Sequence, residues 1–306
     1  MRFSACVTTR NVPERLDTCL RAIWNSSVKP YVTIVSDDSP DREVQQKNRQ
    51  VVERYPGTTY IIGPKAGVNA NRNCAVNAVP SETDIVAFVD DDIWLDSDFI
   101  ANALDKYTQM PPQEKERTFI TGISYTNSGF ESVPTKLSFR GYYRPTKDVP
   151  ECVHIHAAVF PRSFFDREQW EEEIFFGQGD AILCLRALKE GYRILYYPEL
   201  RALNTRPGGG TLAVESIGKL TNYNIHQQAA RLYIGVKRYK ELFPNPFKLV
   251  VFLAIYFSHM NIYLLRKHAL LAWPQIIQRS HIQQLLLKSS SDAAARKPES
   301  ADDKSP

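Results

Sequence analysis

The chain has 306 residues, 43% hydrophobic and 24% charged, a balance that excludes a disordered or fibrous protein and suffices for one sizeable core. A formal net charge of +4 is too small to mark a nucleic-acid binder. Five scattered cysteines, odd in number and without C-x-x-C spacing, argue against a disulfide framework and for reduced, mostly buried thiols in a cytoplasmic protein.

Met1 to Val7 reads as a first strand that runs straight into Thr8-Thr9-Arg10, with no secretory signal before it. Pro13 then opens a helix whose Leu16, Cys19, Leu20, Ile23 and Trp24 keep one apolar face, and Pro30 ends the linker that follows. The β-branched run Tyr31 to Ser36 predicts a second strand, ending in Asp37-Asp38-Ser39-Pro40-Asp41. A short strand at Thr59 to Ile62 opens into Gly63-Pro64-Lys65-Ala66-Gly67, and Asn69 to Asn73 heads the next helix. Gly67 permits a turn that other residues resist, and Arg72 presents a fixed fork of donors to a phosphate or nucleobase carbonyl.

The most telling stretch is Ile85-Val86-Ala87-Phe88-Val89-Asp90-Asp91-Asp92, an apolar run of the kind buried on both sheet faces that stops in three carboxylates. Open α/β sheets bind ligands at such carboxyl ends. Three adjacent like charges there call for a divalent cation with oxygen ligands, usually one that also grips a phosphate; the plain alternative is a solvated acidic turn before the next helix.

Strands alternate with helices to about residue 205, which implies a mostly parallel sheet with helices on both faces. Tyr125 to Val153, punctuated by Gly129, Pro134, Gly141, Pro145 and Pro150, predicts a hairpin or loop excursion; its Phe139 to Arg144 either stacks on a sugar or forms an aromatic rim. Further on, Ile182, Leu185 and Leu188 recur at helical spacing, with Gly191 at the left-handed C-terminal position and Asp180 at the N-cap. An Asp there is held as the anion by backbone donors and the helix dipole. That is the protonation state a general base needs, although a plain capping Asp looks the same.

The C-terminal third changes character. A helix over 221–242 is broken by Pro244 and Pro246, and an apolar run then reaches from Leu249 to Leu265, interrupted by Ser258, His259 and Asn261. A membrane span needs about 20 predominantly apolar residues, so the run fits a helix lying in the membrane interface better than a crossing one. Arg266, Lys267 and His268, with Tyr256, Tyr263 and Trp273, suit that position, and a helix packed on protein or on a second copy is the alternative. From Ser289 the Ser, Ala, Asp and Lys composition predicts a disordered tail.

Thr8-Thr9-Arg10-Asn11, the Asp37-Asp38 turn, the Gly67 to Asn73 loop and Val89-Asp90-Asp91-Asp92, in that order, resemble the nucleotide-sugar half of family 2 glycosyltransferases. His156 to Phe165 resembles the family's acceptor-side strand, and Phe176 to Arg193 the segment that holds its catalytic acid. The resemblance implies a GT-A fold, Rossmann-like, over residues 1–215, while the residues themselves read as a helical extension over 216–288, membrane-associated or packed on protein, and a disordered tail over 289–306. It further implies a hexosyl- or deoxyhexosyltransferase that moves sugar from a nucleotide-sugar donor to a glycan or lipid-linked acceptor with inversion, aided by Mg²⁺ or Mn²⁺, at the inner face of the membrane. A non-catalytic nucleotide-sugar-binding or scaffold protein of the same fold is the alternative.

By the same resemblance, Asp180 is the base. Thr9, Gly67 and Asn73 line the donor site, Asp37 (or Asp38) and Arg72 face the nucleobase, and Asp90 holds the ribose. Asp91 shares part of its neighbours' work, while Asp92 and Asn204 ligate the metal. Two departures stand out. Gly179 occupies the place of a Glu common before the base, and Asn204 that of a His; the glycine-rich Thr205 to Gly210, with Arg206, suits a lid over the diphosphate or an ordinary surface loop.

Overall fold

The computed structural model describes residues 1–206 and 215–287. The glycine-rich segment 207–214 and the tail from 288, expected to act as a lid and to be disordered, lie outside the described residues.

Alternation of apolar runs and amphipathic helices folds as anticipated. Strand β1 (Phe3–Thr9) leads through α1 (Pro13–Trp24) to β2 (Val32–Asp37), α2 (Arg42–Val52) and β3 (Thr58–Ile62), then α3 (Val68–Asn77) and β4 (Ile85–Asp90). A short β5 (Ile93–Leu95) precedes α4 (Phe99–Thr108), a single turn α5 (Pro112–Lys115) and β6 (Thr118–Thr126). The predicted excursion is a hairpin, β7 (Thr135–Leu137) and β8 (Tyr143–Pro145); β9 (Ala158–Pro161), α6 (Gly179–Lys189) and β10 (Arg193–Asn204) complete the sheet.

The eight strands lie in the order β3-β2-β1-β4-β9-β6-β10-β5, with β9 and β5 running against the others. Period-two alternation decides what each face covers. Phe3, Ala5 and Val7 of β1 and Ile85, Ala87 and Val89 of β4 pack under α1, α2 and α4, while Cys6, Val86 and Phe88 pack under α3 and α6 on the other side. This mixed α/β architecture, covered on both faces, is the GT-A-type fold expected from the sequence.

On the α3 and α6 side, Phe88 meets Phe165 and Trp170 edge to face at 5.2 and 5.0 Å, and Phe119 meets Phe160 and Phe164 at 4.8 and 4.9 Å. Such pairs add to the area they bury. They pin the chain between β9 and α6 beneath the sheet end where the acids emerge. Strand β10 breaks register between Tyr196 and Arg201, so the residues between them face the one residue Gly122 of β6. A Cβ on Gly122 would lie 1.9 Å from the Leu200 carbonyl oxygen, which is why the bulge needs glycine there.

After residue 215 come α7 (Asn222–Lys237), continued by a π-helical turn over Arg238–Leu242, and then α8 (Pro246–Arg266), α9 (Trp273–Arg279) and α10 (Ile282–Leu287). Pro246 occupies the first turn of α8, and Asn245 caps it by accepting the Lys248 N–H. Phe252, Tyr256, Met260 and Leu264, four residues apart, bury one stripe of α8 in a core shared with α7 and with Ala181, Ile182 and Leu185 of α6. The opposite face leaves Phe247, Val250, Ile255, Ile262 and Leu265 exposed. By length and composition α8 alone among the described helices could cross a membrane, yet it is docked along one side.

Candidate active site

Strands β1, β2 and β4 end side by side, with Thr9 opposite Asp37 and Thr8 opposite Asp90. This is where the strand order reverses from β1 towards β2 on one side and towards β4 on the other, the position at which open sheets leave a crevice.

The three acids emerge together, as expected, but do not converge. Asp90 accepts the Thr8 hydroxyl at 2.8 Å and offers both oxygens to Arg72 Nη2 at 3.1 and 3.0 Å, with His156 Nε2 at 3.8 Å. Burial favours its neutral form, but Arg72, His156 and the Thr8 hydroxyl together outweigh burial and hold its pKa below the usual carboxylate range. Asp91 turns back to β1, accepting Thr9 Oγ1 at 2.9 Å with Arg15 Nη1 at 3.6 Å; even so, burial pushes its pKa up to about 7. Asp92 has no side-chain donor among the described residues, and burial together with Asp90 pushes its pKa up to about 6.

Among the described residues no three His, Cys, Asp or Glu side chains gather as a metal cage. One unpartnered carboxylate whose charge is held at a cost still fits a hard cation of the kind that takes one or two protein carboxylates and completes its shell with water and phosphate oxygens. Asn204 fits less well. Its amide oxygen accepts the Arg206 N–H at 3.0 Å and its nitrogen lies 3.4 Å from His156 Nδ1, so Asp92 is the residue left open.

Asp37 differs most from expectation. It is 0% exposed, and its oxygens accept from the Ser39 N–H at 2.8 Å, Asn48 Nδ2 at 2.9 Å and Tyr60 OH at 2.7 Å, a clasp that holds the loop after β2 and offers no face to a base. The neighbouring Asp38 accepts only the Lys65 N–H, at 2.8 Å, and burial raises its pKa. Arg72 does not face outward either: its guanidinium lies over Trp170 at 5.0 Å and is spent on Asp90. Asn73 bridges Trp170 and Glu172, and Gly67, with φ at +106°, packs on Phe175. Thus Arg72, Asn73 and Gly67 shape the crevice from behind.

His156 is the residue that single motifs did not single out. Its ring lies within reach of Asp90, Ser124 and Asn204, so it stands at the acidic strand end. Burial lowers its pKa, which favours the neutral imidazole at neutral pH. The one signal for it in sequence was its place at the head of an apolar strand, where a histidine is more often structural.

Asp180 is not the N-cap. Gly177 (φ +91°) and Gln178 (φ +56°) turn the chain so that α6 begins at Gly179, two residues earlier than expected, and Asp180 sits inside the first turn. It keeps the dipole's support for its negative charge, and its Oδ1 accepts Tyr143 OH at 2.6 Å, which draws the β7–β8 hairpin over it. The loop ahead of α6 is anchored through Glu171, which accepts Arg186 Nη2 at 2.5 Å and also pairs with Lys237; both cations lower its pKa against burial.

Gly179 has a packing reason. A Cβ there would lie 2.5 Å from Oδ1 of Asn69, whose Nδ2 is held by the carbonyls of Glu171 and Ile174 at 2.8 and 3.3 Å. Installing the missing acid as Gly179→Glu should therefore destabilise the protein by about 1–3 kcal/mol. Thermal unfolding checks this, and an unchanged midpoint would show that the loop accommodates a side chain.

A model described as glycosyl transferase family 2 matches residues 4–167, which contain the whole acidic strand end and His156 but stop short of Asp180. No curated protein matches the chain. Among solved structures, S. aureus TarS residues 1–349 align with TM-score 0.60 and 16% identity, covering 93% of this chain and 81% of that one. The same fragment in complex with UDP-GlcNAc gives 0.58 and 18%, covering 91% and 79%. With UDP the values are 0.53 and 15%, covering 84% and 72%.

Proposed function

Because this chain belongs to glycosyl transferase family 2, we propose that it transfers a hexosyl or deoxyhexosyl group from a nucleotide sugar to a hydroxyl of a glycan or lipid-linked acceptor, with inversion. The observation that carries this reading is the sheet end itself, where Asp90, fixed by Arg72 and Thr8, stands 3.8 Å from His156 and next to Asp92, whose carboxylate takes no hydrogen bond from another described side chain.

In this reading Asp38 accepts from the nucleobase in place of the enclosed Asp37, and Asp90, fixed by Arg72 and Thr8, accepts from the ribose. Crystallisation of TarS with UDP and with UDP-GlcNAc supports a uridine diphosphate sugar as donor. Asp92 would hold Mg²⁺ or Mn²⁺, which when bound supplies Lewis-acid stabilisation of the departing diphosphate. Asp180, oriented by Tyr143, takes the proton of the acceptor hydroxyl as that oxygen attacks the anomeric carbon, and the carbon–diphosphate bond breaks on the opposite side.

The exposed face of α8 supports peripheral contact with a cytoplasmic membrane surface, since Phe247, Val250, Ile262 and Leu265 form one apolar strip bordered by Arg266 and Lys267. The decisive assay combines a panel of nucleotide sugars, Mn²⁺ and candidate acceptors. Release of free nucleoside diphosphate only when an acceptor is present is the expected result; selective binding of one donor without turnover under any acceptor would instead make the protein a nucleotide-sugar-binding member of the family.

A further inference from the structure

Arg231 of α7 is a buried cation with an incomplete set of partners. It is 3% exposed, and its Nε and Nη1 make no hydrogen bond. No carboxylate reaches it among the described residues; instead its guanidinium lies between the rings of Tyr142 at 4.2 Å and Tyr256 at 4.8 Å. Two aromatic faces offset part of the cost of burying a charge, but they leave Nε and Nη1 without an acceptor.

The surroundings repeat the pattern. Arg140, half-buried, also lies over the ring of the hairpin's Tyr142, at 5.5 Å, and has no acidic partner among the described residues. His259 of α8 faces the same place, with a buried Nδ1 that makes no hydrogen bond. Arg140, Arg231 and His259 meet at one crevice too narrow for a water molecule, and of the three only Arg140 and His259 continue into an open groove of about 420 Å³ walled by Ile255, Ser258 and Ile262. Those isoleucines belong to the exposed apolar face of α8, so unused cationic donors lie directly against a strip suited to hydrocarbon.

The same hairpin ties this groove to the reaction. Tyr142 lies against Arg231, while the next residue, Tyr143, hydrogen-bonds the candidate base. We infer that Arg140 and His259, with the buried charge of Arg231 behind them, seat the phosphate group of a lipid-linked acceptor, whose hydrocarbon lies along α8 and whose sugar-accepting end reaches towards Asp180. An arginine fork matches phosphate oxygens, and an anion in the groove would balance positive charge that no carboxylate among the described residues meets. The inference rests on the reading of the protein as a transferase with a lipid-linked acceptor.

Vesicle co-sedimentation without any donor tests it. Phosphatidylcholine vesicles carrying a polyprenyl monophosphate should bind the full chain at least about tenfold more tightly than vesicles of equal surface charge carrying phosphatidylglycerol. Arg231→Gln and Arg140→Gln should each erase that preference and leave nucleotide-sugar affinity unchanged. Arg140 is half-buried, so its variant keeps the test valid if Arg231→Gln fails to fold. Equal binding to both anionic vesicles, binding to neither, a preference that survives in Arg140→Gln, or inorganic phosphate competing as effectively as the lipid would each overturn the inference. Since no donor is present, failure of the transferase reading shows separately, as absent turnover with the vesicle preference intact.

Discussion

Replacing Asp180 by Asn should leave nucleotide-sugar binding near its original strength while slowing transfer by about 10²–10⁴-fold, the range that a positioned general base contributes. Asn preserves the shape and an oxygen that can still accept from Tyr143, so the hairpin contact persists and only the basic carboxylate is lost. An Asp that merely favours the first turn of α6 is worth about 0.3–1 kcal/mol of stability and nothing in rate. Transfer kinetics and a donor binding isotherm on the same preparation separate the two roles. Near-normal turnover in the variant removes the base from this position. The carboxylates nearest in sequence are poorly placed to inherit it: Glu173 accepts from Tyr233, Glu172 from Asn73, and Asp166 from Arg162.

Asp92→Ala should abolish the metal-dependent part of donor binding while the fold remains, because among the described residues no other side chain hydrogen-bonds the Asp92 carboxylate, which takes only its own backbone N–H. Titration of the variant with nucleotide sugar, with and without Mn²⁺, checks this; an affinity gain from Mn²⁺ equal to that of the wild type would sink the assignment. The pH dependence has a definite sign. Burial and Asp90 raise the Asp92 pKa to about 6, so a proton competes with the cation increasingly as pH falls below that value. Mn²⁺-dependent binding should therefore be fully developed above about pH 7 and decline about tenfold per unit below about pH 6, with proton uptake on release of the metal. Asp90 is held below the usual carboxylate range and contributes no such step in this window.

Much of the architecture was legible because local and global preferences agree. The β-branched runs that end in Asp37 and Asp90 can only be strands covered on both faces, and the alternation with amphipathic helices leaves a parallel sheet as the economical arrangement. The hairpin within 125–153 and the helix after Pro246 were likewise visible in turn residues and apolar periodicity. Order along the chain was enough to identify the family.

What the sequence could not decide is which of several identical side chains is free. Asp37 and Asp38 are adjacent and chemically equal, yet one is enclosed by Asn48, Tyr60 and Ser39, residues 2 to 23 positions away, while the other, also buried, accepts only the Lys65 N–H among the described residues. Among Asp90, Asp91 and Asp92, partners supplied by β1, α1, α3 and the turn holding His156 consume the first two and leave the third. Likewise Gly179 reads as a lost catalytic neighbour until Asn69, 110 positions away, is seen where a side chain would stand. The strand pattern determined that acids would reach one edge of the sheet, and the family resemblance named Arg72 and Asp180 as their expected companions. Long-range packing alone assigned their hydrogen bonds, since a buried donor must find whatever acceptor the fold brings beside it.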